Sequence, residues 1–70
     1  MEIEAEIAGN VWKVEKAVGD CVKEEDVLLI LESMKMEIPV EAPCAGTVRE
    51  VRVQEGETVE EGTVLVVLES

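Results

Sequence analysis

The sequence predicts an all-β domain, a sandwich or barrel of about eight short strands with pseudo-two-fold symmetry. Three observations predict it. The chain repeats itself without a gap, its apolar runs are Val-rich and of strand length, and Gly-Asp and Gly-Glu pairs punctuate them. Residues 8–33, AGNVWKVEKAVGDCVKEEDVLLILES, align with residues 45–70, AGTVREVRVQEGETVEEGTVLVVLES, at a constant offset of 37, and 12 of the 26 positions are identical. Two copies are too few for a solenoid, so they form one closed unit.

Each strand has its own signal. Ile3, Ala5 and Ile7 alternate with Glu2, Glu4 and Glu6, so apolar side chains share one face of a first strand and carboxylates the other. Residues 11–16 and 48–53 are rich in β-branched side chains and lead to turns at Gly19-Asp20 and Gly56-Glu57. Residues 27–32 and 64–69 are apolar runs too short for helices. Residues 36–41 form a strand that Pro39 places at a sheet edge or a bulge. Gly9, Gly19, Gly46 and Gly56 are expected in turns. Trp12 stands where the second copy has Arg49, so symmetry does not require it, and packing at a sheet edge is preferred to a docking role. In so small a domain, closing the sheet edges matters.

Composition narrows the function. Seventy residues carry six Lys plus Arg against 17 Asp plus Glu, a net charge of −11, with no His and one aromatic side chain. Such a chain repels phosphate backbones and anionic lipid, so neither nucleic acid nor membrane is an expected partner. The longest apolar run has five residues, far short of the roughly 20 that a membrane helix needs. No basic segment precedes an apolar stretch at the start, so the expected location is cytoplasmic. Without His there is no imidazole base, and Cys21 and Cys44 form no CxxC pair, so no metal site is expected. Two free thiols packed as small hydrophobes are preferred to a bridge, since Cys44 aligns with Ile7 and Cys21 with Thr58. No activated nucleophile or substrate-sized cleft is legible, so a non-catalytic protein is expected. Self-repulsion favours a monomer.

One segment breaks the local rules. Between the copies, residues 28–40 read LLILESMKMEIPV, two strands with a tight turn at Ser33-Met34-Lys35-Met36. Two-residue hairpin loops favour positive φ at both central positions, normally supplied by Asn-Gly or Asp-Gly. Here the central pair is Met34-Lys35, which supplies neither, and Met at an exposed tip wastes apolar surface. Departures of this kind concentrate at functional sites. Lys35 is the only basic residue between Lys23 and Arg49, amid Glu24, Glu25, Asp26, Glu32, Glu37 and Glu41. Those carboxylates favour its ammonium form, whereas a self-activated lysine needs a desolvated or cationic setting. Lys35 therefore reads as the target of another protein rather than a catalyst.

The stretch Glu32-Ser33-Met34-Lys35-Met36-Glu37 resembles the attachment motif of biotinyl domains. Ala42-Pro43 followed by Ala45-Gly46 is similar to the segment after their hairpin, and the duplication matches their flattened barrel-sandwich hybrid. The start of the chain and its Gly-Asn-Val-Trp-Lys stretch look most like the family's short, free-standing biotin/lipoyl attachment proteins. No Ala/Pro-rich linker stands at either end and no room is left for a protruding insertion, which also suggests a free-standing carrier.

The resemblance implies that a biotin protein ligase joins biotin to Lys35 through an amide. The tethered biotin would carry carboxylate between the biotin carboxylase and carboxyltransferase of a biotin-dependent carboxylase, of the acetyl-CoA carboxylase kind. Met34 and Met36 would give soft contacts to ligase and cofactor, and Glu32 and Glu37 would steer docking or serve only as a solvated acidic face. Two alternatives remain open: lipoate on Lys35, although lipoyl domains resemble Asp-Lys-Ala there, and an unmodified β interaction module.

Overall fold

The computed structural model describes residues 1–69; Ser70, the last position of the second copy, lies outside the described residues. Eight strands form, and no helix is found among the described residues. They are β1 (Glu2–Glu4), β2 (Gly9–Val14), β3 (Cys21–Val22), β4 (Val27–Ser33), β5 (Met36–Glu41), β6 (Gly46–Val51), β7 (Thr58–Val59) and β8 (Val64–Glu69). They make two four-stranded antiparallel sheets, ordered β1-β8-β6-β3 and β5-β4-β2-β7. The sheets stay open rather than closing into a barrel, so β1, β3, β5 and β7 are edges.

Adding 37 to the residue numbers of the first four strands gives their counterparts among the last four: β1 maps to β5, β2 to β6, β3 to β7 and β4 to β8. The copies interlock. β3 of the first copy pairs with β6 of the second, and β7 of the second pairs with β2 of the first. The loops repeat this exchange: Gly19 N donates to Val48 O at 2.8 Å and Val48 N to Asp20 O at 2.9 Å, while Gly56 N donates to Val11 O at 2.7 Å and Val11 N to Glu57 O at 2.8 Å. Gly19 and Gly56 hold φ of 96° and 91°, conformations closed to most side chains, which is why both turns carry glycine.

The core is aliphatic and symmetric. Val11/Val48, Val22/Val59, Leu28/Leu65, Leu29/Val66, Leu31/Leu68 and Ala5/Ala42 are all buried, joined by Ile3 and Val53, with no buried polar side chain among the described residues. Bulges explain how neighbouring residues share a fate. Leu28 and Leu29 together oppose Val40, so β4 turns two successive side chains inward, and β8 does the same with Leu65 and Val66.

Several expectations need correction. β2 and β6 begin two residues earlier than residues 11 and 48, and residues 15–17 and 52–54 are irregular. Gly9 and Gly46 open strands rather than turns. β1 ends at Glu4, leaving Ile7 outside it and 39% exposed. Trp12 is not packed at a sheet edge: β2 is an inner strand, and a bulge where Trp12 and Lys13 oppose Ile30 turns both outward, leaving Trp12 half-exposed. Both thiols are free, but Cys21 is exposed on the edge strand β3, and only Cys44 is part-buried, its Sγ 3.9 Å from Met1 Sδ.

Candidate functional site

The β4–β5 hairpin is the longest in the protein. Its rungs run from Leu29↔Val40 through Ile30↔Pro39, Leu31↔Ile38 and Glu32↔Glu37 to the closing pair Ser33↔Met36. Leu28, Leu29 and Leu31 root β4 in the core, so the tip projects from a fixed base. Gly9 packs against β4 just below the turn. A Cβ on Gly9 would stand 2.7 Å from Glu32 O and 3.4 Å from Ser33 Cβ. Any side chain there would push β2 off the end of β4 that carries the tip. This supporting position escaped the sequence reading, which took Gly9 for a turn; its available signal was that Gly9 and its equivalent Gly46 precede strand-like runs directly.

At the tip, Met34 and Lys35 hold φ of 53° and 65°. Both central positions are therefore left-handed, as a two-residue hairpin loop demands, in residues that resist it at roughly 1–2 kcal/mol each. The side chains face solvent: Met34 is 86% exposed and Met36 59%, and Lys35 is exposed as well. Ammonium and thioethers thus share one apex.

One rung below, Glu32 and Glu37 face each other across the strands, half-buried and exposed respectively. Directly opposed like charges weaken a rung by a few tenths of a kcal/mol. Neither engages the lysine, and among the described residues no carboxylate comes within 4.0 Å of Lys35 Nζ. The structure therefore brings Glu32, Met34, Lys35, Met36 and Glu37 together on one hairpin end but leaves the amine unpartnered. Among the described residues no group of three or more His, Cys, Asp and Glu side chains is spaced to hold a metal ion. What the apex offers chemically is a primary amine on a stiff, extended support, open to attack an acyl group presented by another protein.

Comparison with known proteins defines the class. The biotin/lipoyl family model, described as biotin-requiring enzyme, matches residues 1–68. The chain belongs to this biotin/lipoyl family. A biotin/lipoyl attachment protein of Bacillus subtilis is 48% identical over 40 residues, 57% of this chain and 55% of that protein. A protein of Mycobacterium leprae named as a biotinylated protein TB7.3 homolog is 51% identical over 39 residues, 56% of this chain and 55% of that one. The matched stretch thus spans about half the length of these curated relatives. Among solved structures, the urea carboxylase of Kluyveromyces lactis superposes with a TM-score of 0.93 at 35% identity, over 99% of this chain and 6% of that one.

Proposed function

We propose that this protein is a biotin carboxyl carrier whose acceptor is Lys35. The observation that carries the reading is the turn itself: two residues without glycine's freedom hold positive φ at an exposed hairpin tip, and one of them bears the amine. Membership of a biotin-requiring family, a relative named for its biotinylation and a urea carboxylase that contains this fold all support it.

The residues divide the work. Lys35 Nζ gives up a proton inside a biotin protein ligase and attacks the acyl carbon of activated biotin; a C–N amide bond forms as the activating group leaves with its electron pair. The amide removes the lysine's charge. Biotin, once attached, supplies a ureido nitrogen that takes up and releases carboxylate. The chain itself positions. β4 and β5 hold the attachment point away from the core, so one tether serves a biotin carboxylase and a carboxyltransferase in turn at high effective concentration. Met34 and Met36 flank the amine with polarizable, adaptable surface for these partners.

The test is intact-mass analysis after incubation with a biotin protein ligase, ATP and biotin. The wild-type chain is expected to gain one biotin and Lys35→Arg none; addition to the variant would overturn the assignment. The intact mass from the native cell separates biotin, lipoate and an unmodified hairpin in one measurement.

A further inference from the structure

β1 and β5 are the outer strands of different sheets, and a groove of about 790 Å³ lies between them. Ile3, Ala5, Ile38 and Val40 give it an apolar lining. Glu2, Glu4, Glu6, Glu41 and Glu61, all exposed, bring carboxylates to it; no Lys or Arg lines it, and Arg52 approaches only Glu2, at 4.0 Å, which leaves the other four carboxylates. Among the described residues none of these four carboxylates has a cation within 4.0 Å. Residues 33–37 take no part, so the groove is separate from the hairpin tip.

The backbone of the two walls differs. Met1 O accepts from Leu68 N, while Ala5 N donates to Thr63 O and Ala5 O accepts from Gly62 N, so the odd residues of β1 turn toward β8. Glu2 and Glu4 accordingly turn their N–H and C=O groups outward, off the paired side of the sheet. On β5, Ala42 N donates to Asp26 O and Ala42 O accepts from Glu25 N, which turns Glu37, Pro39 and Glu41 outward. Pro39, the equivalent of Glu2, has no N–H, so the middle of that edge cannot donate. The free edge able to accept a strand is β1.

We propose that this groove docks an extended, basic segment of a partner protein by strand addition to β1. Alternate apolar side chains of the segment would meet the lining while the intervening Lys or Arg side chains meet Glu4, Glu6, Glu41 and Glu61. A second copy of this chain is disfavoured as the occupant, because pairing β1 with itself sets its own carboxylates against each other.

The test is a 15N NMR titration of the full chain with a capped heptapeptide alternating Val with Lys and Arg. Shifts are expected at residues 2–6, 40–41 and 61–62, with exchange of the Glu2 and Glu4 amides slowed at least tenfold, as burial of a free edge in a ladder requires. Glu4→Lys with Glu61→Lys should weaken binding about tenfold without lowering the thermal midpoint, since both residues are exposed and the change relieves net charge. Absence of binding at millimolar peptide would overturn the proposal. So would equal binding of a variant peptide whose central Val is replaced by Pro, or shifts spread over the acidic surface with no protection at Glu4.

Discussion

Among the described residues, Met34 and Lys35 are two of three without glycine's freedom that hold positive φ; the third is Glu25, at 73°. The duplication separates their meanings. Glu25 aligns with Gly62, whose φ is 90°, so the second copy meets the same turn with the residue suited to it. Among the described residues the Glu25 side chain has no hydrogen-bond or ion-pair partner that would compensate. Glu25→Gly should therefore raise stability by about 0.5–1 kcal/mol, the left-handed penalty less the entropy glycine returns to the unfolded chain. In a domain of this size that is a rise of several degrees in thermal midpoint, roughly 4–8 °C per kcal/mol. Met34 and Lys35 have no second-copy counterpart, and their exposure leaves little packing to lose. Met34→Ala and Met36→Ala should each shift stability by less than about 0.5 kcal/mol, as surface changes do, while ligase-dependent biotin incorporation slows. A large stability loss in calorimetry, with unchanged incorporation, would return the methionines to a structural role.

At the scale of elements, the bulges matter most. They come in equivalent pairs, Trp12 with Arg49 on β2 and β6, and Leu28 with Leu65 on β4 and β8. A bulge alters alternation: Trp12 faces out beside buried Val11 as period 2 requires, and the bulge turns Lys13 outward with it. The expectation that Trp12 packs rests on Trp being usually mostly buried, a size argument that the register overrides. Leu28 and Leu65 are both 0% exposed, and removing either side chain leaves a cavity at the centre of the sandwich. Leu28→Ala and Leu65→Ala should each cost about 2–5 kcal/mol, against a total of roughly 4–10 kcal/mol for a domain of this length. Chemical denaturation of both variants checks the symmetry as well as the magnitude: equivalent sites should lose similar amounts. The hairpin strands, residues 27–33 and 36–41, were legible because their runs are long and Pro39 marks an edge. β3 and β7 were not individually legible, because strands of two residues carry no periodicity and exist only through pairing with the other copy.

For the whole molecule the dominant quantity is charge. A net −11 is held in a body 32 × 18 × 17 Å across, and the four ion pairs found among the described residues are all exposed, at 3.5–4.0 Å. Such pairs contribute about 0–1 kcal/mol each, so they do not offset the general repulsion. The Debye length is roughly 30 Å at 0.01 M salt, which exceeds the short axes of the molecule, and roughly 8 Å at 0.15 M, which does not. Added salt should therefore stabilise the fold, and the thermal midpoint should rise by several degrees between those conditions, since screening relieves the compact state more than the expanded one. A midpoint that falls with salt would mean that the ion pairs outweigh the repulsion.

The sequence by itself determined the β class, the duplication, the hairpin and the identity of the residues at its tip, because strand length, Gly position and repeat offset are local or self-referential signals. The strained central pair was readable in the same way, since turn chemistry concerns only adjacent residues. Only the tertiary structure decided that the two copies exchange their short strands, that Trp12 faces water, that Gly9 supports the tip end of β4 and that β1 keeps a free edge beside an acidic groove. Each of these depends on which backbone lies next to which, a relation between residues some 20 to 60 positions apart that no pattern along one strand records.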